Sequence, residues 1–170
     1  MNIFLIGYRC TGKTTVGRAL AERLGMEFID ADDYLVEKAG KTIRDIFAED
    51  GEPAFRDLEE QCLIDLAARD NIVVGAGGGA VLRESNVCCM KNAGRVILLE
   101  ADADTIYARI TTDPKTGAQR PNLTDKDQYD EIVHLLEYRK PFYDAAAEMT
   151  LDSSALSPDE LVDRIINALA

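Results

Sequence analysis

The chain has 170 residues, of which 46% are hydrophobic and 29% are charged, which fits one globular domain and leaves no room for a comfortable second one. Nineteen basic residues against 31 acidic residues give a net charge of −12, which disfavours nucleic acid and anionic membranes as partners. We therefore expect a single domain over residues 1–170, with no signal peptide or membrane span, that binds anionic ligands only in a local basic pocket.

Short apolar segments alternate with amphipathic segments along most of the chain. The predicted strands cover residues 2–6, 27–29, 72–74, 96–99 and 149–151. The predicted helices cover residues 14–24, 33–39, 42–49, 53–69, 84–91, 129–147 and 158–169, with one more through Ile106 and Ile110. Because right-handed crossovers place helices on both faces of a parallel sheet, the pattern predicts a three-layer α/β fold. Ligands of such folds bind at the carboxyl ends of the strands.

Residues 111–128 interrupt this alternation. The segment is polar and contains Pro114, Gly117 and Pro121, and long structureless connections in compact domains are usually functional or disordered. We interpret it as a lid over the ligand site.

The spacing of the cysteines and the presence of a single histidine argue against a zinc site. The cysteines are Cys10, Cys62, Cys88 and Cys89, and they show no C-x-x-C spacing. We expect reduced thiols in the cytoplasm, with Cys62 in the core and His134 on the surface.

Residues 7–14 read Gly-Tyr-Arg-Cys-Thr-Gly-Lys-Thr and match the G-x-x-x-x-G-K-[ST] motif between a predicted strand and a predicted helix. In this motif backbone N–H groups turn toward phosphate oxygens, and the helix N-terminus adds positive potential. Lys13 is suited to the β and γ phosphates, and Thr14 to Mg²⁺. The residues predicted to bind ATP in this loop are Gly7, Cys10, Thr11, Gly12, Lys13, Thr14 and Thr15. The sequence has no N-K-x-D motif, which disfavours GTP.

Residues 28–32, Phe-Ile-Asp-Ala-Asp, end the second predicted strand with carboxylates at alternate positions, which in a strand point to the same side. One carboxylate of such a pair is suited to hold Mg²⁺ through water, and the other to orient or deprotonate a hydroxyl group. Alternatively, Asp32 is the N-cap of the following helix. The sequence leaves both interpretations open.

A run of three glycines and several arginines point to a small acidic substrate. The glycines at 77–79 permit a close approach of backbone to ligand, or they form a loose turn. Arg56 and Arg139 lie on predicted helices, and converging guanidinium groups suit a carboxylate. For each arginine alone, an ordinary salt bridge is the simpler explanation. Arg120, in the predicted lid, is placed to reach the transferred phosphoryl group when the lid closes.

Together these segments, with residues 46–56 and the order Arg139, Pro141, Tyr143, resemble the shikimate kinase family over nearly the whole chain. The resemblance implies a P-loop kinase fold with a five-stranded parallel sheet in the order 2-3-1-4-5, a lid at about 111–128 and an acceptor region at about 32–60. It also implies ATP-dependent phosphorylation of the 3-hydroxyl group of shikimate, on the route to chorismate and the aromatic amino acids, by a monomer that requires Mg²⁺.

The resemblance also implies roles for individual residues. Lys13, Asp32 and Arg120 are the implied catalytic residues, and Arg120 also contacts ATP. Thr14 and Asp30 are the implied metal-binding residues. The implied shikimate-binding residues are Asp32, Arg56, Gly78, Gly79 and Arg139. Residues 152–158 correspond to the adenine side of the family's site, and Cys10 stands where the family commonly has glycine.

Two alternatives differ in the reaction. Another small-metabolite kinase, such as gluconate kinase, shares the phosphate loop, but the triple glycine and the two arginines argue against it. A regulatory nucleotide-binding module without turnover gains little support, because Lys13, Thr14, Asp30 and Asp32 are all present.

Overall fold

The structure of the chain, a computed structural model, describes residues 1–112 and 127–170. Its strands are β1 (Asn2–Ile6), β2 (Glu27–Asp30), β3 (Ile72–Gly75), β4 (Gly94–Glu100) and β5 (Met149–Asp152). They form one sheet in the order β2-β3-β1-β4-β5, and every neighbouring pair is parallel. The predicted fold class and strand order are confirmed.

Helices follow each of the strands, as the alternation predicts. They are α1 (Lys13–Leu24), α2 (Ala31–Ala39), α3 (Ile43–Glu49), α4 (Gly51–Ala67), α5 (Glu84–Ala93), α6 (Ala103–Thr112), α7 (Gln128–Ala146) and α8 (Pro158–Leu169). A short 3₁₀ turn (Ala80–Leu82) precedes α5. No helix in the described part of the chain is long and apolar enough to cross a bilayer.

The ends of several helices follow local chemistry. Gly25 closes α1 in the left-handed conformation, with φ 66°. Ser157 and Glu160 form a capping box at the start of α8, with Pro158 in its first turn. The predicted lid overlaps α6 at one end and α7 at the other, and the rest of it, with Arg120, lies outside the described residues.

The two faces of β1 belong to two different cores. Phe4 and Ile6 pack with residues of α4, α5 and α7, whereas Ile3 and Leu5 pack with residues of α1 and α8. All four side chains are fully buried. Since burying each one stabilises the fold by roughly 1.5–3 kcal/mol, the central strand anchors the three layers.

A glycine brings α1 close to β2. A Cβ atom on Gly17 would lie 2.7 Å from Cδ2 of Phe28, so a larger residue would push the helix from the sheet. This close contact places Thr14, at the start of α1, near Asp30, at the end of β2.

All five strands end at the same edge of the sheet because they are parallel. Asp30 is level with Gly75, and Leu5 is level with Gly75 on the other side. The phosphate loop, the first turn of α2 and the glycine run therefore emerge side by side, at the edge where ligands of such sheets bind.

Candidate active site

The loop between β1 and α1 follows a path that favours glycine. The φ angles are 144° at Gly7, 60° at Cys10 and 96° at Gly12. A Cβ atom on Gly7 would clash with the carbonyl oxygen of Leu99, so glycine is required there. The left-handed conformation of Cys10 costs about 1–2 kcal/mol in a residue with a side chain, which gives a physical reason for glycine at this position.

Lys13 lies inside the curve of this loop. Its Nζ donates hydrogen bonds to the carbonyl oxygens of Gly7 and Tyr8, each at 2.8 Å. Thr11 Oγ1 donates to the same Tyr8 oxygen, also at 2.8 Å. The ammonium group and the N-terminus of α1 thus create positive potential at one point, as an anionic ligand requires.

Asp30 and Thr14 bring two side-chain oxygens together beside the loop. Thr14 Oγ1 donates to Asp30 Oδ2 at 3.4 Å, while Asp30 Oδ1 accepts from the backbone N–H groups of Asp32, at 2.9 Å, and Asp33, at 3.2 Å. Asp30 is therefore the N-cap of α2. Burial, and then the nearby charge of Asp32, raise the pKa of the Asp30 carboxyl above its ordinary value.

The expectation that Asp30 and Asp32 alternate along a strand is wrong. The strand ends at Asp30, and Asp32 lies in the first turn of α2, because the Asp30 carboxylate caps that helix. The proposed cap at Asp32 is also misplaced by two residues. Nevertheless, both carboxylates line the same crevice, so capping and a place in the site are compatible.

A crevice of about 700 Å³ opens at this edge of the sheet. The predicted site residues that line it are Cys10, Thr11, Gly12, Lys13, Thr14, Thr15, Asp30, Asp32 and Gly78. Among the described residues, its basic side chains are Arg9, Lys13, Arg18 and Arg109. These four side chains outnumber the three carboxylates, of Asp30, Asp32 and Asp33, that the described part of the chain brings to the same crevice. The excess fits the local basic pocket expected in a chain with a net charge of −12.

Two guanidinium groups lie against consecutive glycines of the run after β3. A Cβ atom on Gly78 would lie 3.2 Å from Nη1 of Arg139, and one on Gly79 would lie 2.5 Å from Nη1 of Arg56. Gly78 also lines the crevice. Arg56 and Arg139 thus flank the glycine run, but neither of them lines the crevice itself.

Arg56 also has internal partners. Its Nη1 donates to Glu59 Oε1 at 2.8 Å, and its Nη2 to Glu52 Oε1 at 3.4 Å. Glu59 is only 3% exposed. The ordinary salt bridge considered for this arginine is therefore present, and it holds the guanidinium group against Gly79.

Arg139 is 4% exposed, and its Nε has no hydrogen-bond partner among the residues that the structure describes. Buried polar groups normally have partners, so this nitrogen is a candidate donor to an anionic ligand.

Tyr143 is a site residue whose contact the sequence did not predict. Its hydroxyl group donates to the carbonyl oxygen of Gly78 at 2.6 Å and so fixes the glycine run. Tyr143 follows Arg139 by four residues on α7, so both side chains lie on one face of the helix. This four-residue spacing was the sequence feature from which a shared position of Arg139 and Tyr143 could have been predicted.

Arg109 joins the phosphate loop to the segment after β5. Its Nη1 donates to the carbonyl oxygen of Cys10 at 3.0 Å, and its Nη2 to that of Ser153 at 2.9 Å. Ser153, Leu156 and Pro158 line the crevice, in the segment expected on the adenine side. The contact between Arg109 and Ser153 was not predicted, since it joins residues 44 positions apart.

A five-stranded parallel sheet in this order, with a glycine-rich phosphate loop after its first strand, defines a P-loop nucleotide-binding protein. Arg56 and Arg139 form a further cationic group beside the glycine run of that protein.

Comparisons with known proteins identify the family. The profile of the shikimate kinase family matches residues 9–170. A shikimate kinase of Rhodopirellula baltica is 37% identical over 98% of this chain and 89% of the relative. One of Nitratidesulfovibrio vulgaris is 43% identical over 90% of the chain and 87% of the relative. The structure of a shikimate kinase from Acinetobacter baumannii in complex with shikimate has a TM-score of 0.91 at 34% identity, over 99% of this chain and 92% of that one.

The chain therefore belongs to the shikimate kinase family and is a kinase. The comparisons support this prediction and do not support gluconate kinase.

Proposed function

We propose that the protein transfers the γ-phosphoryl group of ATP to the 3-hydroxyl group of shikimate, giving shikimate 3-phosphate and ADP on the route to the aromatic amino acids. One observation carries the proposal: Arg56 and Arg139 lie against Gly79 and Gly78, and Gly78 belongs to the crevice that the phosphate loop lines. A triphosphate and a small ring acid therefore have separate cationic partners in adjoining parts of one site.

The nucleotide side of the proposal rests on the phosphate loop. Its N–H groups surround the phosphates, and Lys13 moves from the loop carbonyls to the β and γ phosphates. The adenine lies beside Arg109 and residues 152–158, of which Ser153, Leu156 and Pro158 border the same crevice. Arg120, which lies outside the described residues, reaches the phosphates from the lid at about 111–128.

The metal would be Mg²⁺, and Thr14 and, through water, Asp30 would hold it. Their hydroxyl and carboxylate oxygens are the hard ligands that this ion prefers, and their side chains are 3.4 Å apart. The described residues contain no group of three or more His, Cys, Asp or Glu arranged to hold a metal, which suits an ion that takes most ligands from phosphates and water. When bound, it neutralises charge on the transferred group.

The acceptor lies in the region at about 32–60 and beside the glycine run. Its carboxylate pairs with Arg139, whose buried Nε lacks a described partner, and with Arg56, which Glu59 holds in place. Gly78 and Gly79 leave room for the ring. Asp32 accepts the hydrogen bond of the attacking hydroxyl group and orients it, or takes its proton.

The reaction then requires positioning more than covalent chemistry from the protein. The acceptor oxygen forms a bond to the γ phosphorus, the bond between that phosphorus and the β–γ bridging oxygen breaks, and ADP leaves. Lys13 and Arg120 stabilise the charge on the transferred group, so these two residues and Asp32 make up the proposed catalytic set.

The protein works as a single-domain monomer in the cytoplasm. All four cysteines are free thiols, as a reducing compartment favours. The net charge of −12 opposes binding to nucleic acid. Sedimentation of the purified chain would test the monomer, and a dimer mass would contradict it.

A coupled assay of ADP release tests the proposed function. Purified protein with ATP and Mg²⁺ is given shikimate, gluconate or quinate in parallel. We expect turnover with shikimate and at most weak turnover with the other two acids. Turnover only with gluconate would contradict the proposal, and tight ATP binding without ADP release for any acceptor would favour a regulatory module.

A further inference from the structure

Tyr8 is a phosphate-loop residue whose side chain does not border the nucleotide crevice. It is 2% exposed and packs between two helices, with Ile106 and Ile110 of α6 and with Ile132 and Leu135 of α7. The ring is therefore held rigidly at a junction of the loop with the helix that carries Arg139.

The guanidinium group of Arg139 lies over this ring. Its central carbon is 5.7 Å from the ring centroid of Tyr8, within the range of a cation–π contact. The same guanidinium group approaches the backbone of Gly78, and Tyr143 holds the carbonyl oxygen of Gly78 by a hydrogen bond. The arginine is thus confined by an aromatic face and by a fixed segment of backbone.

We propose that Tyr8 is a positioning residue for the acidic substrate, acting through Arg139 and not by direct contact. This inference rests on the proposed function of Arg139 as a carboxylate ligand. An arginine side chain has many rotamers, and ordering it on binding costs free energy. The ring of Tyr8 fixes the guanidinium group before the acid arrives, so less ordering remains at binding.

The backbone and the side chain of Tyr8 have different partners. The carbonyl oxygen of Tyr8 accepts hydrogen bonds from Lys13 and Thr11, and any residue at this position supplies that oxygen. The ring contacts Arg139 and also Arg9, whose central guanidinium carbon lies 5.9 Å from the ring centroid and which keeps its charge at the crevice without the ring. A substitution that removes the ring should therefore weaken binding of the acid while the nucleotide side keeps its hydrogen bonds.

Four variants test this inference in the coupled assay: Tyr8→Leu and Tyr8→Met, which remove the ring, Tyr8→Phe, which keeps it, and Tyr138→Leu as a control. Tyr138 precedes Arg139 on α7, and its side chain is 56% exposed. We expect the KM for shikimate to rise about tenfold in Tyr8→Leu and Tyr8→Met and by less than about twofold in Tyr8→Phe and the control. The KM for ATP should stay within about twofold in all four.

Thermal melts establish that each variant is folded, and Tyr8→Met replaces Tyr8→Leu if the latter does not fold.

Combining the ring-removing change with Arg139→Ala gives a second readout. If Tyr8 acts through Arg139, the double variant should have the shikimate KM of Arg139→Ala alone.

Two results would overturn the inference: an unchanged shikimate KM in folded variants without the ring, or an equal increase in the two KM values. If the KM for shikimate rose as much in Tyr8→Phe as in Tyr8→Leu, the effect would belong to the hydroxyl group and not to the ring. That result would also contradict the inference. Inactivity of the unmodified protein with shikimate would instead contradict the proposed function, so the two failures are distinguishable.

Discussion

The guanidinium group of Arg56 lies directly against the α-carbon of Gly79. The backbone of Gly79 does not itself demand glycine, because its φ angle is −98°, which other residues adopt readily. Glycine is needed at this position because a Cβ atom would occupy the space of the guanidinium group. The residue is therefore part of the proposed acid-binding site, although it has no side chain to donate or accept a hydrogen bond.

Gly79→Ala should impair binding of the acid and also lower stability. The added methyl group displaces a buried guanidinium group that pairs with Glu59, so we expect the free energy of unfolding to fall by about 1–3 kcal/mol. Displacing Arg56 should lower kcat/KM for shikimate by about tenfold or more, since a charge-assisted hydrogen bond contributes about 1.5–3 kcal/mol. Steady-state kinetics and urea unfolding measure the two effects. An unchanged kcat/KM would show that Arg56 does not bind the acceptor.

Asp32→Asn should remove most of the turnover and leave ATP binding intact. The substitution keeps the size of the side chain and removes the carboxylate that orients or deprotonates the acceptor hydroxyl group, which we expect to lower kcat by about 10²-fold or more. Calorimetric titration with ATP provides the binding measurement. Asp33→Asn is the matched control, since Asp33 is the neighbouring carboxylate. If Asp32→Asn turns over shikimate as fast as the control, Asp32 does not orient or deprotonate the acceptor hydroxyl group.

Asp30→Asn should be at least as stable as the unmodified protein at neutral pH. Asparagine still caps α2 through its side-chain oxygen, and the substitution removes a carboxylate that burial and Asp32 disfavour. Because folding raises the pKa of Asp30, ionisation of this group costs stability, and the cost grows as the pH rises from the unfolded pKa to the raised folded pKa. The variant's advantage in melting temperature should therefore shrink as the pH falls through the raised pKa of Asp30 and be largely gone below about 4, where the unfolded state is protonated as well. A lower melting temperature than the unmodified protein at pH 7 would count against this account.

The same substitution should impair the metal-dependent reaction. An outer-sphere ligand of a metal commonly contributes 10–100-fold, so we expect kcat/KM for the Mg²⁺–ATP complex to fall by about that factor. Titrating Mg²⁺ at fixed ATP measures the effect. An unaltered Mg²⁺ dependence would remove Asp30 from the metal site.

Cys10→Gly should stabilise the phosphate loop slightly. The left-handed backbone conformation of Cys10 costs about 1–2 kcal/mol. Glycine removes part of this cost, but it lowers stability by about 0.5–1 kcal/mol because it gives the unfolded chain more conformational entropy. We expect a gain of up to about 1 kcal/mol in the free energy of unfolding, with turnover retained. Cys10→Ala, which keeps a Cβ atom, should give no such gain, and equal gains in both variants would assign the effect to the thiol instead.

Most of the fold was predictable because hydrophobic periodicity is local. The apolar run at residues 2–6 and the glycine at 25 predict a strand and a helix end from neighbouring residues alone. The phosphate loop was predictable for the same reason, since its chemistry lies within eight consecutive residues. The order of the strands depends on long-range pairing, and it came from resemblance to a family.

The contacts between distant segments were not predictable from the pattern. The hydrogen bond of Tyr143 to Gly78 spans 65 residues and depends on how α7 crosses the sheet. The alternation assumed for Asp30 and Asp32 failed because a helix cap ended the strand, and short segments carry no signal that decides between these states. The placement of Arg56 and Arg139 on one substrate came from the family resemblance and stays a prediction, although both side chains lie against the glycine run.

A structure of the protein with ADP and shikimate tests the central claim most directly. We predict that the shikimate carboxylate lies within hydrogen-bonding distance of Arg139 and Arg56, with the ring beside Gly78 and the 3-hydroxyl group facing Asp32. A carboxylate bound away from both arginines, or a ring on the far side of the phosphate loop, would contradict the account.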